Sequence, residues 1–311
     1  MSTSRTAPPL RRSVAPLPTR RRPAEKGARG TWLRTVGWRH ALVAVALVWA
    51  LGPILFILFA ALNPAGTLSS SSLVPRAASL VNFEELFTDP IRPFWRWYLN
   101  TLIIAGVATA GSLFIGACTA YAFTRFRFTG RRPALLFLLL IQMFPALLAF
   151  IAIYVTFIKI GEIFPQIGLN TAAGLIIVYL GGSMGSNIWL LKGYFDTVPR
   201  ELDEAAKIDG ASHAQIFFGM ILRLAAPILA TVATFSFVGF INEFMMAAIF
   251  LTDTGHKTLA VGLQATFANN NNEYSGQFAA GSILASLPVV VLYLALQRQI
   301  VGGPTAGSVK G

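Results

Sequence analysis

Cysteine is nearly missing from this chain: Cys118 stands alone, inside an apolar run. An intrachain disulfide is excluded, and a small buried hydrophobe is the expected role. Charge is sparse too. Asp, Glu, Lys and Arg make up 12% of 311 residues, about half the share of a usual soluble domain. Histidine occurs three times, as His40, His213 and His256, too far apart in sequence to suggest a metal site. A phosphate-binding loop is lacking. Gly302 and Gly307 have the right gap, but Ser308 and Val309 stand where Lys and Ser or Thr are needed, and no strand precedes them. ATP hydrolysis is therefore not expected in this chain. No catalytic residue and no cofactor is assigned to it.

What the chain has is apolar length. Hydrophobic residues reach 55% and the mean hydropathy is +0.62, because runs of membrane-spanning length recur. The expected spans are Ala41 to Leu62, Tyr98 to Phe123, Ala134 to Ile158, Thr171 to Leu191, Leu224 to Leu251 and Phe278 to Gln297. The predicted fold is an all-α integral membrane protein with about six transmembrane helices, covering residues 40–300. Acidic residues are the scarcer sign, 13 against 25 Lys and Arg, for a net charge of +12. The excess sits mainly in residues 1–39 and in loops such as Arg125 to Arg132, the pattern of cytoplasmic segments. Nucleic-acid binding is the weaker reading, since no basic folded domain with interleaved aromatics is present. Residues 1–39, rich in Arg, Pro, Ser and Ala, are expected to be a disordered cytoplasmic tail able to touch anionic lipid. Residues 301–311 form a second cytoplasmic tail.

Polar side chains within the spans need partners in hydrocarbon. Gln142, Asn187, Asn242 and Glu243 are candidates for a substrate path, with Thr231, Thr234 and Ser236 nearby. Glu243 is the sharpest of them, and two readings stand: a ligand contact, or a bond that holds helices together. Pro145, Pro227 and Pro288 mark possible kinks. Gly106, Gly111 and Gly116 permit close helix approach, either inside the chain or against a partner.

Between two of the apolar runs lies a polar island, Asp196 to Pro227. Pro199 suits a first helical turn. Glu201, Asp203 and Glu204 put negative charge at the positive end of that helix. Gly210 is a helix stop expected at positive φ, with Asp209 bonding nearby N–H groups to fix the turn. Ser212 and Gln215 have the spacing of a capping box. Helix, sharp turn and second helix make a docking element, in which Ala205 and Ala206 allow another backbone to come close.

Glu204-Ala205-Ala206, Asp209-Gly210-Ala211 and Phe217 resemble the EAA loop of ABC-importer permeases. Ile141 to Tyr154, Ile167 to Gly182 and the tail Ile300 to Gly311 are similar to permease subunits of ABC carbohydrate importers, of the maltose/maltodextrin type with six spans. The likeness runs from about Ala41 onward. One departure is Arg223, where the family usually has proline; Pro227 remains. The resemblance implies a multi-pass bacterial inner-membrane protein with both termini cytoplasmic. Its implied partners are a second homologous permease, an ATPase dimer that carries ATP and Mg, an extracytoplasmic sugar-binding protein and an oligosaccharide. It assigns ATPase coupling to Glu201, Glu204, Ala205, Ala206, Asp209, Gly210, Ala211 and Phe217. It turns the polar loop Asn269, Asn270, Asn271, Asn272, Glu273 and Tyr274 toward the binding protein. Rival substrates are trehalose, cellobiose and glycerol phosphate. A rival of another class is a self-contained secondary transporter, though no paired repeat is visible.

The basic bias makes the topology testable. In a variant lacking Cys118, cysteines at Ser71 and Asn271 are expected to react with a membrane-impermeant reagent from outside. Those at Gly130 and Ser212 are expected to be shielded. Labelling at Ser212 from outside would overturn the topology.

Overall fold

The computed structural model describes residues 36–64, 77–268 and 274–305, and all regular structure among them is helical. The expectations for residues 1–35, 65–76, 269–273 and 306–311 lie outside the described residues. In chain order the helices are α1 (Trp38–Leu62), α2 (Val81–Thr88), α3 (Phe94–Arg125), α4 (Arg131–Gln142), α5 (Ala146–Ile163) and α6 (Ala172–Phe195). They continue with α7 (Arg200–Ile208), α8 (His213–Ile216), α9 (Ala226–Asn242), α10 (Met245–Phe250), α11 (Leu259–Leu263) and α12 (Ser275–Thr305). The chain falls into two compact units, 1–53 and 54–311. The described part of the first is the opening of α1, where Val48 and Trp49 are 74% and 85% exposed, as on a lipid-facing helix.

Among the described residues, α1, α3 and α12 are long and apolar enough to cross a membrane unbroken. Three further crossings are bent: 99° between α4 and α5, 50° within α6 after Ser183, and 77° between the His213–Leu224 segment and α9. The count of about six spans holds, but two of them differ in construction from the sequence expectation. Ala134 to Ile158 is not one helix, because Pro145 lacks an N–H and holds the preceding residue out of the helical region. Leu224 to Leu251 is interrupted at Glu243, whose backbone is extended (φ −68°, ψ 117°), and α10 follows. Pro227 sits in the first turn of α9, directly after the 77° bend. The expected tail after residue 300 begins as the last turn of α12.

In the second unit α3 lies against α6, α9, α11 and α2. Helices in lipid gain little from apolar burial against each other, so close packing decides which faces meet. A Cβ built on Gly111 would lie 2.8 Å from Leu180, and one on Gly116 would lie 3.4 Å from Leu191. Those two small residues therefore seat α6 within the chain; a Cβ on Gly106 would meet nothing within 4 Å. At one end of the bundle Trp97 Nε1 donates to Thr254 O (2.6 Å), and Asn100 Nδ2 donates to the carbonyls of Gly255 and Lys257. Asn170 Oδ1 accepts from the N–H groups of Thr252 and Asp253 there. At the other end a buried cluster joins Ala120 and Tyr121 of α3 to Leu191 and Phe195 of α6 and to Ile216, Phe217 and Ile221. Between Trp97 and Thr254 the second unit thus alternates between two ends.

The tightest contact at the Trp97 end lies between Gly262 and Trp97. A Cβ at Gly262 would sit 2.2 Å from the Trp97 ring, and that indole is 1% exposed with its N–H already committed. Gly262→Ala is therefore expected to destabilise the chain by roughly 1–3 kcal/mol, read as a lowered melting temperature in detergent. Gly239→Ala, where added volume meets nothing within 4 Å, is the control. Equal melting of the two variants would show that Trp97 yields.

Candidate functional site

The polar island folds as a helix, a left-handed turn and a second short helix. Helix α7 opens after Pro199 with Glu201 and Asp203 in its first turn and Lys207 in its last, all favourable to its dipole. It closes through two backbone bonds: Gly210 N donates to Lys207 O (3.0 Å) and Ala211 N donates to Ala206 O (2.9 Å). This is the Schellman arrangement, and Gly210 supplies its positive φ of 84°. The expected role for Asp209 is corrected here: backbone groups close the turn, and its exposed carboxylate takes no part. The capping box forms as expected. Ser212 N donates to Gln215 Oε1 (2.7 Å), and Gln215 N donates to Ser212 Oγ (3.3 Å).

This element is fixed to the end of α3 by a pair that the sequence reading missed. Arg125 Nε lies 2.5 Å from Asp203 Oδ2, and the two side chains are only 6% and 8% exposed. Asp203 Oδ1 is buried and has no hydrogen-bond partner, so the guanidinium is the main compensation for that carboxylate. Two crossed bonds reinforce the joint: Arg125 donates to Val198 O (3.1 Å) and Arg200 donates to Thr124 O (2.8 Å). Arg125 was legible only as one of several basic residues after a span, and Asp203 only as one of three acids at a helix start. Charge pattern does not say which acid turns inward.

The α7 residues divide by face. Asp203 and Ala206, three apart, turn toward the protein, and Ala206 packs with Ala211 against the cluster of Tyr121, Phe195 and Phe217. Phe217 is buried at 5% exposure, its ring 5.0 Å from that of Tyr121. Ala206 is half-buried, one side of it against the chain's own core. Glu201, Glu204, Ala205, Asp209 and Gly210 are exposed. Ile208 joins them at 87% exposure, an apolar side chain at the end of a polar helix. Glu201, Ala205 and Ile208 fall at i, i+4 and i+7, one outward stripe. Ile208 could have been found from that spacing. Before α9, Ala225 is fully buried and Tyr194 Oη donates to Leu224 O (3.0 Å), so a sharp bend forms without a proline at Arg223.

The four in-span candidates do not converge. Asn187 donates to Ser236 Oγ (3.1 Å) and ties α6 to α9. Gln142 is exposed at the end of α4 and donates to Leu138 O. Glu243 accepts from Tyr179 Oη (2.7 Å), Met246 N (2.8 Å) and Ala247 N (3.0 Å). It bridges helices and satisfies the start of α10, which leaves its carboxylate fully engaged. Asn242 lines a cleft of about 450 Å³ between α9, α11 and α12. Of the polar loop, Tyr274 is described. Its ring lies 4.1 Å from the Arg92 guanidinium, which also covers Phe267 at 5.3 Å. Asn270 to Glu273 fall outside the described residues.

Residues 112–301 match the family described as binding-protein-dependent transport system inner membrane component. The chain is 38% identical over 289 residues to the maltose/maltodextrin transport system permease protein MalG of Photorhabdus laumondii, covering 88% of this chain and 97% of that one. It is 40% identical over 257 residues to the protein of the same name in Vibrio vulnificus, at 79% and 86% coverage. Against that of Escherichia coli K12 the identity is 37% over 283 residues, at 88% and 95%. Among solved structures, a bacterial ABC transporter involved in import of the acidic polysaccharide alginate shares the fold. Its TM-score is 0.70 at 23% identity, over 91% of this chain and 99% of that one. The methionine ABC transporter MetNI, in an inward-facing conformation, gives a TM-score of 0.51 at 19% identity, over 68% and 95%. With that family match and these relatives beside a chain of bent and straight apolar spans, the protein belongs to the binding-protein-dependent inner membrane components and is a multi-pass permease subunit of a bacterial ABC importer.

Proposed function

We propose that this chain carries maltose/maltodextrin-type oligosaccharides as half of a translocation pore, and that α7 is its contact with an ATPase dimer. The observation that carries the proposal is the α7 joint. An exposed stripe of Glu201, Ala205 and Ile208 stands on a helix whose opposite side is bolted to α3 by a buried ion pair. Displacement of such a helix moves α3 with it, because Arg125 cannot leave Asp203 without stranding a charge. The names of the relatives support the sugar class. A solved relative of the same fold, described in complex with a pentasaccharide-bound periplasmic protein, supports a binding-protein partner.

On this reading a second homologous permease completes the pore, and ATP with Mg is held and hydrolysed in the ATPase subunits. Closure of the ATPases shifts the docked helices, and the spans rock so that the path opens outward to receive sugar. Hydrolysis returns them inward. Both termini and α7 lie on the cytoplasmic side. Tyr274, braced by Arg92, closes the loop that meets the sugar-binding protein.

The test separates docking from folding. Ala205→Trp adds bulk on the outward stripe, and Gly210→Val forces a β-branched residue into positive φ where space is otherwise open. Both are expected to lose capture of the purified ATPase and to abolish uptake while membrane levels hold. Ala206→Trp is expected to fail through its own core, and Ala211→Ser to be mild. If Ala205→Trp and Gly210→Val both keep ATPase capture and normal uptake, a self-contained transporter becomes the better account.

The ion pair makes a second prediction. Asp203→Leu leaves Arg125 buried and unpaired, a loss of roughly 3–5 kcal/mol visible as a lowered melting temperature. Adding Arg125→Met is expected to restore most of that stability. Equal stability of the single variant and wild type would mean that solvent reaches the joint.

A further inference from the structure

The cleft beside Asn242 has a chemistry of its own. Its walls are largely apolar, with Val238, Ile241 and the rings of Phe244 and Phe278. Its polar groups are Asn242, Gln264, Ser282 and Ser286, and it has no charged side chain. Ser282 and Ser286 lie about 10 and 16 Å from Ser275 along α12 at the helical rise, on a helix long and apolar enough to cross a membrane. Neutral amides and hydroxyls within a span are costly against lipid and are kept where they meet water or a ligand.

Their hydrogen bonds are partly spent. Ser282 Oγ donates to Phe278 O (2.8 Å), Ser286 Oγ donates to Ile283 O (2.7 Å), and Asn242 Nδ2 gives one hydrogen to Val238 O (2.9 Å). Both serines are left as acceptors. Asn242 keeps its carbonyl and one N–H, and the Gln264 amide makes no hydrogen bond among the described residues. The set accepts more than it donates. A phosphate or carboxylate needs donors and positive charge and would face lone pairs here. A hydroxyl both donates and accepts, and the C–H faces of a pyranose suit the apolar walls.

We propose that this cleft is a subsite for a neutral polyhydroxylated ligand, a hexose unit of an oligosaccharide, and that it rejects anionic sugars. The proposal rests on the sugar-permease reading and narrows it, since glycerol phosphate then falls outside the substrate class. Asn242 and Gln264 bind ring hydroxyls, Ser282 and Ser286 accept from them, and Phe244 and Phe278 cover the ring.

The experiment uses the full chain in lipid nanodiscs, with maltotriose and glycerol 3-phosphate as probes, read by saturation-transfer NMR and competition. Wild type is expected to contact maltotriose and not glycerol 3-phosphate. The pair Asn242→Leu with Gln264→Leu is expected to weaken maltotriose about tenfold or more, as one or two lost neutral hydrogen bonds predict. Should that pair fail to insert, Ser282→Ala with Ser286→Ala serves instead, because those hydroxyls bond only to their own helix. There a weakening of about threefold is expected. Undiminished maltotriose contact in an inserted variant, or preference for glycerol 3-phosphate, overturns the subsite. ATPase capture by the same wild-type preparation reports the coupling reading separately; capture without any maltotriose contact overturns the subsite alone.

Discussion

Hydrocarbon offers no hydrogen bonds, and that single constraint shapes the breaks at Glu243, before α9 and at Pro145. Each backbone N–H or C=O freed at a break costs several kcal/mol unless something inside the protein takes it up. At the α9–α10 break the Glu243 carboxylate takes the N–H groups of Met246 and Ala247. Where the chain turns into α9, the Tyr194 hydroxyl takes the Leu224 carbonyl. Between α4 and α5 the break falls at Pro145, which has no N–H to lose. Glu243 and Tyr194 thus supply partners at two of these breaks, and each ties one span to another.

The same economy explains why in-span polar residues are poor guides to a path. Thr231 and Thr234 bond carbonyls one turn back, Asn187 meets Ser236, and Glu243 has three donors around it. The last two specify which helices lie together. The residues left over, Asn242 and Gln264 in a cleft of mixed polarity, carry the unspent capacity. A satisfied polar side chain holds a structure, and an unsatisfied one in a cavity is available to a ligand.

At the opposite end, charge does what packing does elsewhere. The Arg125–Asp203 pair is nearly dry, and it joins a nine-residue polar helix to the 32-residue α3. Breaking such a pair costs far more than forming it contributes. That asymmetry suits a joint that must transmit displacement and not slip. The helix beyond it keeps one face for the chain's own core and turns the other, with Ile208 almost bare, outward.

Much of this was legible in the residues themselves. Apolar length set the number of spans, since about 20 residues are needed to cross. The turn at Gly210 and the capping box at Ser212 were readable because both are local, made by residues within a few positions of one another. The tertiary structure decided what depends on distant neighbours. It turned Asp203 and Ala206 inward, left Ala205 and Ile208 outside, engaged Glu243 with Tyr179, and set Asn242 beside α12. A helix carries its caps in its own sequence, but its orientation about its axis is chosen by what it packs against. For α7 the deciding partner, Arg125, lies 78 residues earlier in the chain (203 − 125).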